Sequence, residues 1–256
     1  MSKKLRMFGI DFNPLTMSEA VSEILSWTDK PDYNCRYVVT PNVDHVVKFQ
    51  KDPSLRDSYK DASLVVVDGK PVLWASKILK PLPETVPGSD LCPAIFDAVE
   101  QHQGARVFLL GAAEGVAAKA AIEIEKRWPS ITICGYYSPP MGFNAQALTN
   151  ATAIELINKE KPDILIVGLG APKQEIWTHI MQQELQVKVA LCVGASIEFL
   201  AGEKSRAPKF MRAMGLEWLH RTLSEPKRLM GRYWRDAKIF QVIVLKELVL
   251  NFQGKN

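Results

Sequence analysis

Long hydrophobic runs are missing from this 256-residue sequence: no apolar stretch approaches the roughly 18 uninterrupted residues of a membrane-spanning helix. The N-terminal segment is basic but reaches Asp11, Asn13 and Pro14 without a continuous apolar stretch, so we expect no secretory signal. The residues are 47% hydrophobic and 23% charged, which argues against intrinsic disorder. These absences favour a folded protein without a transmembrane helix.

Cysteine and histidine are scarce and scattered. The cysteines at positions 35, 92, 134 and 192 form no C-x-x-C pair, so neither disulfides nor a zinc site is indicated, and we expect reduced thiols in a cytoplasmic enzyme. HExxH and G-x-S-x-G motifs are also absent, and each isolated histidine is expected to be structural. Because no Asp-x-Asp pair occurs near Asp68, Glu84 or Asp90, we expect metal-independent chemistry without a cofactor.

The body of the chain alternates strand-like and helix-like segments. This alternation predicts an α/β fold with a mostly parallel sheet and helices on both faces. The predicted strands are Arg36–Thr40, Leu64–Val67, Arg106–Leu110, Ser130–Gly135, Asp163–Val167 and Lys188–Val193. The predicted helices are Val43–Gln50, Gly115–Trp128, Ala145–Lys159 and a helix from Pro172 toward Leu185, with a loop over Tyr136–Asn144.

One predicted strand ends on a carboxylate. The buried run LVVV, residues 64–67, leads directly to Asp68 and Gly69. In open α/β sheets ligands gather at the carboxyl ends of the strands, which makes Asp68 a candidate functional residue. An ordinary Asp-Gly turn is the alternative at this stage.

A second candidate is the glycine-containing turn VGLGAPKQEIW, residues 167–177. Gly168 and Gly170 would let backbone approach a ligand, and the helix that begins near Pro172 would present its positive end to an anion. A tight strand-to-helix connection is the alternative. The third position of a dinucleotide fingerprint holds Lys173 instead of glycine, so an NAD-dependent oxidoreductase is the weaker hypothesis.

The C-terminal segment is basic and aromatic. We predict an α/β body over residues 1–204 and a helical, basic appendage over residues 205–256. Guanidinium groups suit a diphosphate, whereas tryptophan and tyrosine suit a membrane interface. The final apolar stretch IFQVIVLKELVL is too short to span a bilayer; it would contact the membrane surface, the body or a second subunit. A nucleic-acid role is disfavoured, and a non-catalytic membrane adaptor is an alternative.

Several motifs occur in a fixed order along most of the chain. They are TPNVDHV (40–46), VVDGKPV (66–72), GSDL (88–91), VFLLGA (107–112), PDILIVGLGAPKQEIW (162–177), VGASIEFLAGEKSRAP (193–208) and GLEWLHRTLSEPKRLMGRY (215–233). In these motifs the sequence resembles the WecG/TagA/CpsF family of bacterial glycosyltransferases.

The resemblance implies a Rossmann-like body and an inverting transfer of a sugar from a UDP-sugar to a polyprenyl-diphosphate-linked saccharide. The donor sugar would be N-acetylmannosamine, its uronic acid or glucose, used for cell-surface polysaccharide. The enzyme would be cytoplasmic and peripherally bound to the inner face of the plasma membrane. Independently of the resemblance, the apolar C-terminal stretch makes a homo-oligomer through this segment one of the open alternatives.

The resemblance also assigns roles to individual residues. Asp68 would be the general base. The sugar or the acceptor would be contacted by Thr40, Asn42, Gly69, Asp90 and Gln174. The nucleotide or lipid diphosphate would meet Gly111, Gly168, Gly170, Lys173, Arg206, Arg221, Arg228 and Arg232.

One position departs from the family pattern. Many members carry arginine in an E-R-V triplet, whereas this chain reads Glu84-Thr85-Val86. Thr85 supplies no positive charge, and the sequence leaves open whether Arg206 or Lys70 replaces it.

Overall fold

A computed structural model describes residues 3–101, 104–140, 151–208, 211 and 214–253, without the side chains of Arg221, Arg228 and Phe252. A parallel six-stranded sheet forms the centre, in the order β4-β3-β8-β7-β5-β6. Its strands are β3 (Arg36–Val39), β4 (Leu64–Val65), β5 (Ala105–Gly111), β6 (Ile131–Tyr137), β7 (Ile164–Gly168) and β8 (Val189–Cys192). A short antiparallel hairpin of β1 (Leu5–Met7) and β2 (Ile10–Phe12) lies outside this sheet.

Helices cover both faces of the sheet. One face packs against α2 (Val43–Phe49), α3 (Pro53–Lys60), α4 (Lys70–Leu79), α7 (Ala151–Glu160) and α8 (Lys173–Met181). The other packs against α1 (Met17–Thr28), α5 (Gly88–Val99), α6 (Val116–Arg127) and α9 (Ser196–Leu200). Successive strand residues such as Val38 and Val39 belong to opposite cores, which explains the continuous apolar strand sequences. The predicted α/β class is confirmed.

The strand order creates a topological switch point. The chain passes from β5 outward to β6, returns to β7 beside β5, and then continues in the opposite direction to β8. The connections that leave β5 and β7 therefore diverge, and a crevice opens at their carboxyl ends. In open α/β sheets such a crevice is the usual ligand site.

Two local predictions differ from the structure. Strand β6 continues through Tyr136 and Tyr137, so the predicted loop begins too early; their pairing with Leu109 and Leu110 outweighs the proline signal that follows. Strand β4 ends at Val65, although the Val66 amide still donates to the Val39 carbonyl at 3.1 Å; the Val67 carbonyl accepts from the Val86 amide, 2.7 Å away, outside the sheet. Positions 141–144 of the predicted loop and 145–150 of the predicted helix lie outside the described residues.

The C-terminal part forms α10 (Glu217–Ser224) and the 27-residue α11 (Pro226–Phe252). Helix α11 lies against α2 and α4, and Phe240 packs edge-on against Phe8 with ring centroids 5.6 Å apart. None of the helices, as far as the described ranges go, is long and apolar enough to cross a bilayer. The division at residue 204 stays a prediction.

Candidate active site

A cleft of about 1260 Å³ lies between the carboxyl ends of β3 and β4 and the two C-terminal helices. Its sheet side is mostly polar and charged, and its helix side combines aromatic and apolar side chains with the charged residues Glu217, Lys227, Arg232 and Asp236. The sheet side includes Asn42, Asp44, Asp68, Lys70 and Asp90, and the helix side includes Trp218, Met230, Tyr233, Trp234 and Phe240. The cleft thus suits a ligand with one polar end and one apolar end.

Asp68 stands at the sheet edge of this cleft, where the sequence placed it. Its backbone amide donates to the Pro41 carbonyl at 2.9 Å, which ties the segment after β4 to the segment after β3. Gly69 follows with φ +90°, a conformation that side chains disfavour, and α4 begins at the next residue. The half-buried carboxylate of Asp68 is therefore held on rigid backbone and faces the cleft.

Asn42 lines the cleft beside Asp68 and caps α2. Its Oδ1 accepts from the backbone amides of Asp44 at 3.0 Å and His45 at 3.4 Å. The same oxygen lies 2.9 Å from Nδ1 of His45. Three contacts to one oxygen fix the orientation of this side-chain amide.

His45 and Glu175 form a buried ion pair that spacing did not predict. Nε2 of His45 lies 3.1 Å from Oε1 of Glu175, and the Glu175 side chain is 0% exposed. Burial lowers the pKa of His45, but the charge and hydrogen bond of Glu175 outweigh it, with further contributions from Asp44 and Asp68, so the pKa lies above its usual value. His45 itself is buried and does not line the cleft, and the expectation of a structural role for it stays a prediction.

Gln174 lies beneath the glycine turns and is only 2% exposed. Its Oε1 accepts from the amides of Gly170 at 3.2 Å and Gly194 at 3.1 Å, and its Nε2 donates to Glu175 at 2.8 Å. Gln174 therefore joins the turns that follow β7 and β8. Its predicted contact with substrate stays a prediction.

Gly111 and Gly168 face each other at the switch point. A Cβ on Gly111 would lie 2.5 Å from the carbonyl carbon and oxygen of Gly168, and one on Gly168 would lie 2.9 Å from Ile197 Cδ1. Neither strand end tolerates a side chain, whereas a Cβ on Gly170 would meet nothing within 4 Å. The backbone of these turns is thus closely packed on the sheet and open beyond it.

Of the predicted site residues, the cleft is lined by Asn42, Asp68, Gly69, Asp90 and Arg232, and not by Thr40, Gly111, Gly168, Gly170, Lys173, Gln174 or Arg206. Thr40 is 5% exposed and its hydroxyl donates to the Cys192 carbonyl at 3.4 Å, which links the ends of β3 and β8. Lys173 is exposed at the first residue of α8, the helix that follows β7. Their predicted binding roles stay predictions.

Asp90 and Arg206 form an ion pair at the margin of the cleft, 2.5 Å apart. Arg206 also donates to the carbonyl and hydroxyl of Ser89, at 3.3 and 3.2 Å. Burial lowers the pKa of Arg206, but Asp90 and more distant carboxylates raise it overall, so the guanidinium is charged. Lys70 lines the cleft together with Thr85, whereas Arg206 approaches through Asp90.

Arg232 of α11 faces the cleft from the helix side. Its Nε is buried and has no hydrogen-bond partner within the described part of the chain. Such a donor suits an anionic ligand. The side chains of Arg221 and Arg228, predicted for the same role, lie outside the described residues.

Helix α11 also contributes a carboxylate, that of Asp236, to the lining of the cleft. Asp236 is 3% exposed, and burial raises its pKa; the charge of Asp44 raises the pKa further, against the opposing charges of Arg235 and Arg232. This contact between α11 and α2 was not visible in the sequence. No three His, Cys, Asp or Glu side chains converge as metal ligands in the described ranges, and metal independence stays a prediction.

Comparison with known proteins gives concordant results. The model of the Glycosyl transferase WecG/TagA/CpsF family matches residues 5–253. Three Staphylococcus aureus proteins named N-acetylglucosaminyldiphosphoundecaprenol N-acetyl-beta-D-mannosaminyltransferase are similar over 245 residues, 95% of this chain and 92% of theirs. Identity is 33% for strain MRSA252 and 32% for strains MW2 and NCTC 8325.

Proposed function

The chain belongs to the WecG/TagA/CpsF family and is a glycosyltransferase, and from this premise we propose that it transfers N-acetylmannosamine from a UDP-sugar to N-acetylglucosaminyl-diphosphoundecaprenol. The acceptor and the transferred sugar are those in the names of the S. aureus relatives. An oxidoreductase or a non-catalytic adaptor is not favoured by this membership.

The two-sided cleft is the observation that carries the proposal. A lipid-linked saccharide has a polar sugar, a charged diphosphate and an apolar tail, and each requires a different surface. The sheet side offers Asp68 and Asn42, Arg232 offers a buried donor, and the aromatic side chains of α10 and α11 line the remainder. A volume of about 1260 Å³ accommodates more than one small sugar.

In the proposed reaction Asp68 is the general base. It takes the proton of the attacking acceptor hydroxyl while that oxygen forms a bond to the anomeric carbon of the donor. The bond from that carbon to the diphosphate oxygen breaks on the opposite face, so configuration is inverted. A positioned proton transfer of this kind accelerates a reaction about 10²- to 10⁴-fold.

The nucleotide diphosphate is proposed to bind at the switch point. Gly111 and Gly168 pack the two strand ends closely together, Gly170 leaves open space beside the backbone, and Lys173 adds a cation at the start of α8. Negative charge grows on the leaving diphosphate as the bond breaks, and fixed amide dipoles stabilise it without rearrangement.

Attachment to the inner face of the plasma membrane is the proposed location. Helices α10 and α11 expose a group of apolar side chains: Trp218, Leu223, Met230, Trp234, Val242, Leu245 and Val249. Lys238 lies 4.9 Å from the Trp234 ring centroid and would meet anionic headgroups. Assembly through the C-terminal segment stays a prediction.

The proposal is tested with a panel of UDP-sugars and a synthetic lipid-diphosphate N-acetylglucosamine acceptor, with and without EDTA. We expect transfer from UDP-N-acetylmannosamine, undiminished by EDTA. Productive transfer only from another donor would reject the proposed sugar, and loss of transfer in EDTA would reject the metal-independent mechanism.

A further inference from the structure

The ring of His45 lies between two hydrogen-bond acceptors. Nδ1 is 2.9 Å from Oδ1 of Asn42, and Nε2 is 3.1 Å from Oε1 of Glu175. The Asn42 atom is an oxygen because it also accepts the backbone amides of the α2 cap. Each ring nitrogen therefore donates a proton, which is possible only for the charged imidazolium. The backbone amide of Asn42 also points at Nδ1 from 3.4 Å, as in a capping box. The Oδ1 contact is shorter, at 2.9 Å, and we assign the Nδ1 proton by it.

Burial of Glu175 supports this protonation state. A carboxylate that is 0% exposed requires a cation or several donors, and this one receives His45 and the side-chain amide of Gln174. Asp44 and Asp68 also face His45 electrostatically and favour its charged form. The charges of Glu175, Asp44 and Asp68 all raise the pKa of the His45 ring.

The consequence falls on Asn42. With Oδ1 occupied by three donors, its NH₂ group is the part of the side chain left for the cleft. Asn42 is adjacent to the base, because its Cβ lies 3.9 Å from the position of a Cβ on Gly69. A donor at this place would bind an oxygen of the substrate close to the reacting centre.

We propose that His45 and Glu175 are positioning residues that hold Asn42 with its NH₂ group toward the substrate. The same pair holds Gln174, whose carbonyl ties the turns at Gly170 and Gly194. One buried chain of hydrogen bonds thereby connects the base side of the cleft to the switch-point crevice. This inference rests on the proposed transferase function for its kinetic consequences.

Two matched variants separate positioning from packing. The amide nitrogen of His45→Asn takes the place of Nδ1 and still donates to Asn42, whereas that of His45→Gln takes the place of Nε2 and donates only toward position 175. Both are made in a Glu175→Gln background, so that no unpaired charge is buried.

We expect His45→Gln to lower kcat/KM about 10- to 100-fold more than His45→Asn, the equivalent of one hydrogen bond to substrate. Equal kcat/KM in the two double variants, with only the melting temperature lowered, would mean that the ion pair is merely structural and would overturn the inference.

A spectroscopic test does not depend on sugar transfer. In the wild-type protein labelled with ¹⁵N-histidine, the His45 signals, assigned by their loss in His45→Gln, are expected to show protons on both ring nitrogens at pH 7.5. A neutral ring would overturn the inference even if transfer is observed. Absence of transfer with a charged ring would instead reject the proposed function and leave the donation from His45 to Asn42 supported.

Discussion

The side chain of Asn42 makes two kinds of contact at once. Its oxygen caps α2 and accepts from His45, while its nitrogen is left for the cleft. The stability of the fold depends on the oxygen, whereas substrate binding depends on the nitrogen. A variant that replaces only the NH₂ group therefore separates the effect on binding from the effect on stability.

Asn42→Asp makes that replacement. A carboxylate still caps the helix and pairs with His45, so we expect a melting temperature equal to or above that of wild type, while kcat/KM falls about 10- to 100-fold for want of a donor. Thermal unfolding and steady-state transfer measure the two effects.

The control is Asp52→Asn, which exchanges the same two groups in the opposite direction at the cap of α3. Asp52 does not line the cleft, and its replacement is expected to leave transfer unchanged. Full activity of Asn42→Asp would show that no NH₂ donor is needed at that position.

At the scale of elements, α11 presents different faces to the body and to its surroundings. Phe240 is buried against the body together with partly buried Ile239 and Ile243, whereas Leu245 and Val249 are exposed. Polar contacts also join α11 to the body, since Asp236 faces Asp44 of α2.

The contact of Asp236 predicts a pH-dependent stability. Because the folded-state pKa of Asp236 is raised, the protonated carboxyl stabilises the packing of α11 most at acidic pH, and this contribution is lost as pH rises through the raised value. Asp236→Asn should therefore increase the melting temperature at pH 7.5 by about 2–4 °C for each kcal/mol recovered, and much less near pH 4.

Melting curves of wild type and Asp236→Asn across this pH range test the prediction. The control replaces an aspartate elsewhere on the protein with asparagine. Asp97 is unsuitable because it accepts a hydrogen bond from Trp128, so the control is Asp29→Asn, at the end of α1. A larger gain from Asp236→Asn at acidic pH than at pH 7.5 would contradict the assigned direction of the pKa shift.

The exposed face of α11 predicts weaker membrane binding when it is made polar. Leu245→Gln removes an apolar side chain that is 61% exposed, and we expect sedimentation with anionic vesicles to fall several-fold. Ile122→Gln, at a residue 66% exposed on α6, removes similar surface elsewhere and should leave binding unchanged. Equal losses for both variants would contradict a dedicated membrane face.

At the scale of the whole molecule, local patterns predicted the sheet better than its surroundings. The segment DILIV predicted β7 within one residue, because a buried parallel strand is apolar on both faces. Helix α5 went unpredicted, since its sequence begins with Gly88 and Ser89 and contains Pro93, although the helix continues through that proline. Strand order follows from long-range pairing, which no local pattern encodes.

The same distinction holds at the candidate site. The position of Asp68 at a strand end was predictable, because strand and carboxylate are adjacent in sequence. The pairing of His45 with Glu175 crosses 130 positions, and the contact of Asp236 with Asp44 also joins distant segments. Such pairs form only when the fold brings two helices together.

The most direct test of the whole account is sugar transfer by Asp68→Asn. The amide keeps the size of the carboxylate but cannot accept the proton of the acceptor hydroxyl, so we expect kcat to fall at least about a hundredfold with KM little changed. Asp52→Asn provides the control. Transfer by Asp68→Asn at the wild-type rate would contradict the account, because the cleft would then lack its base.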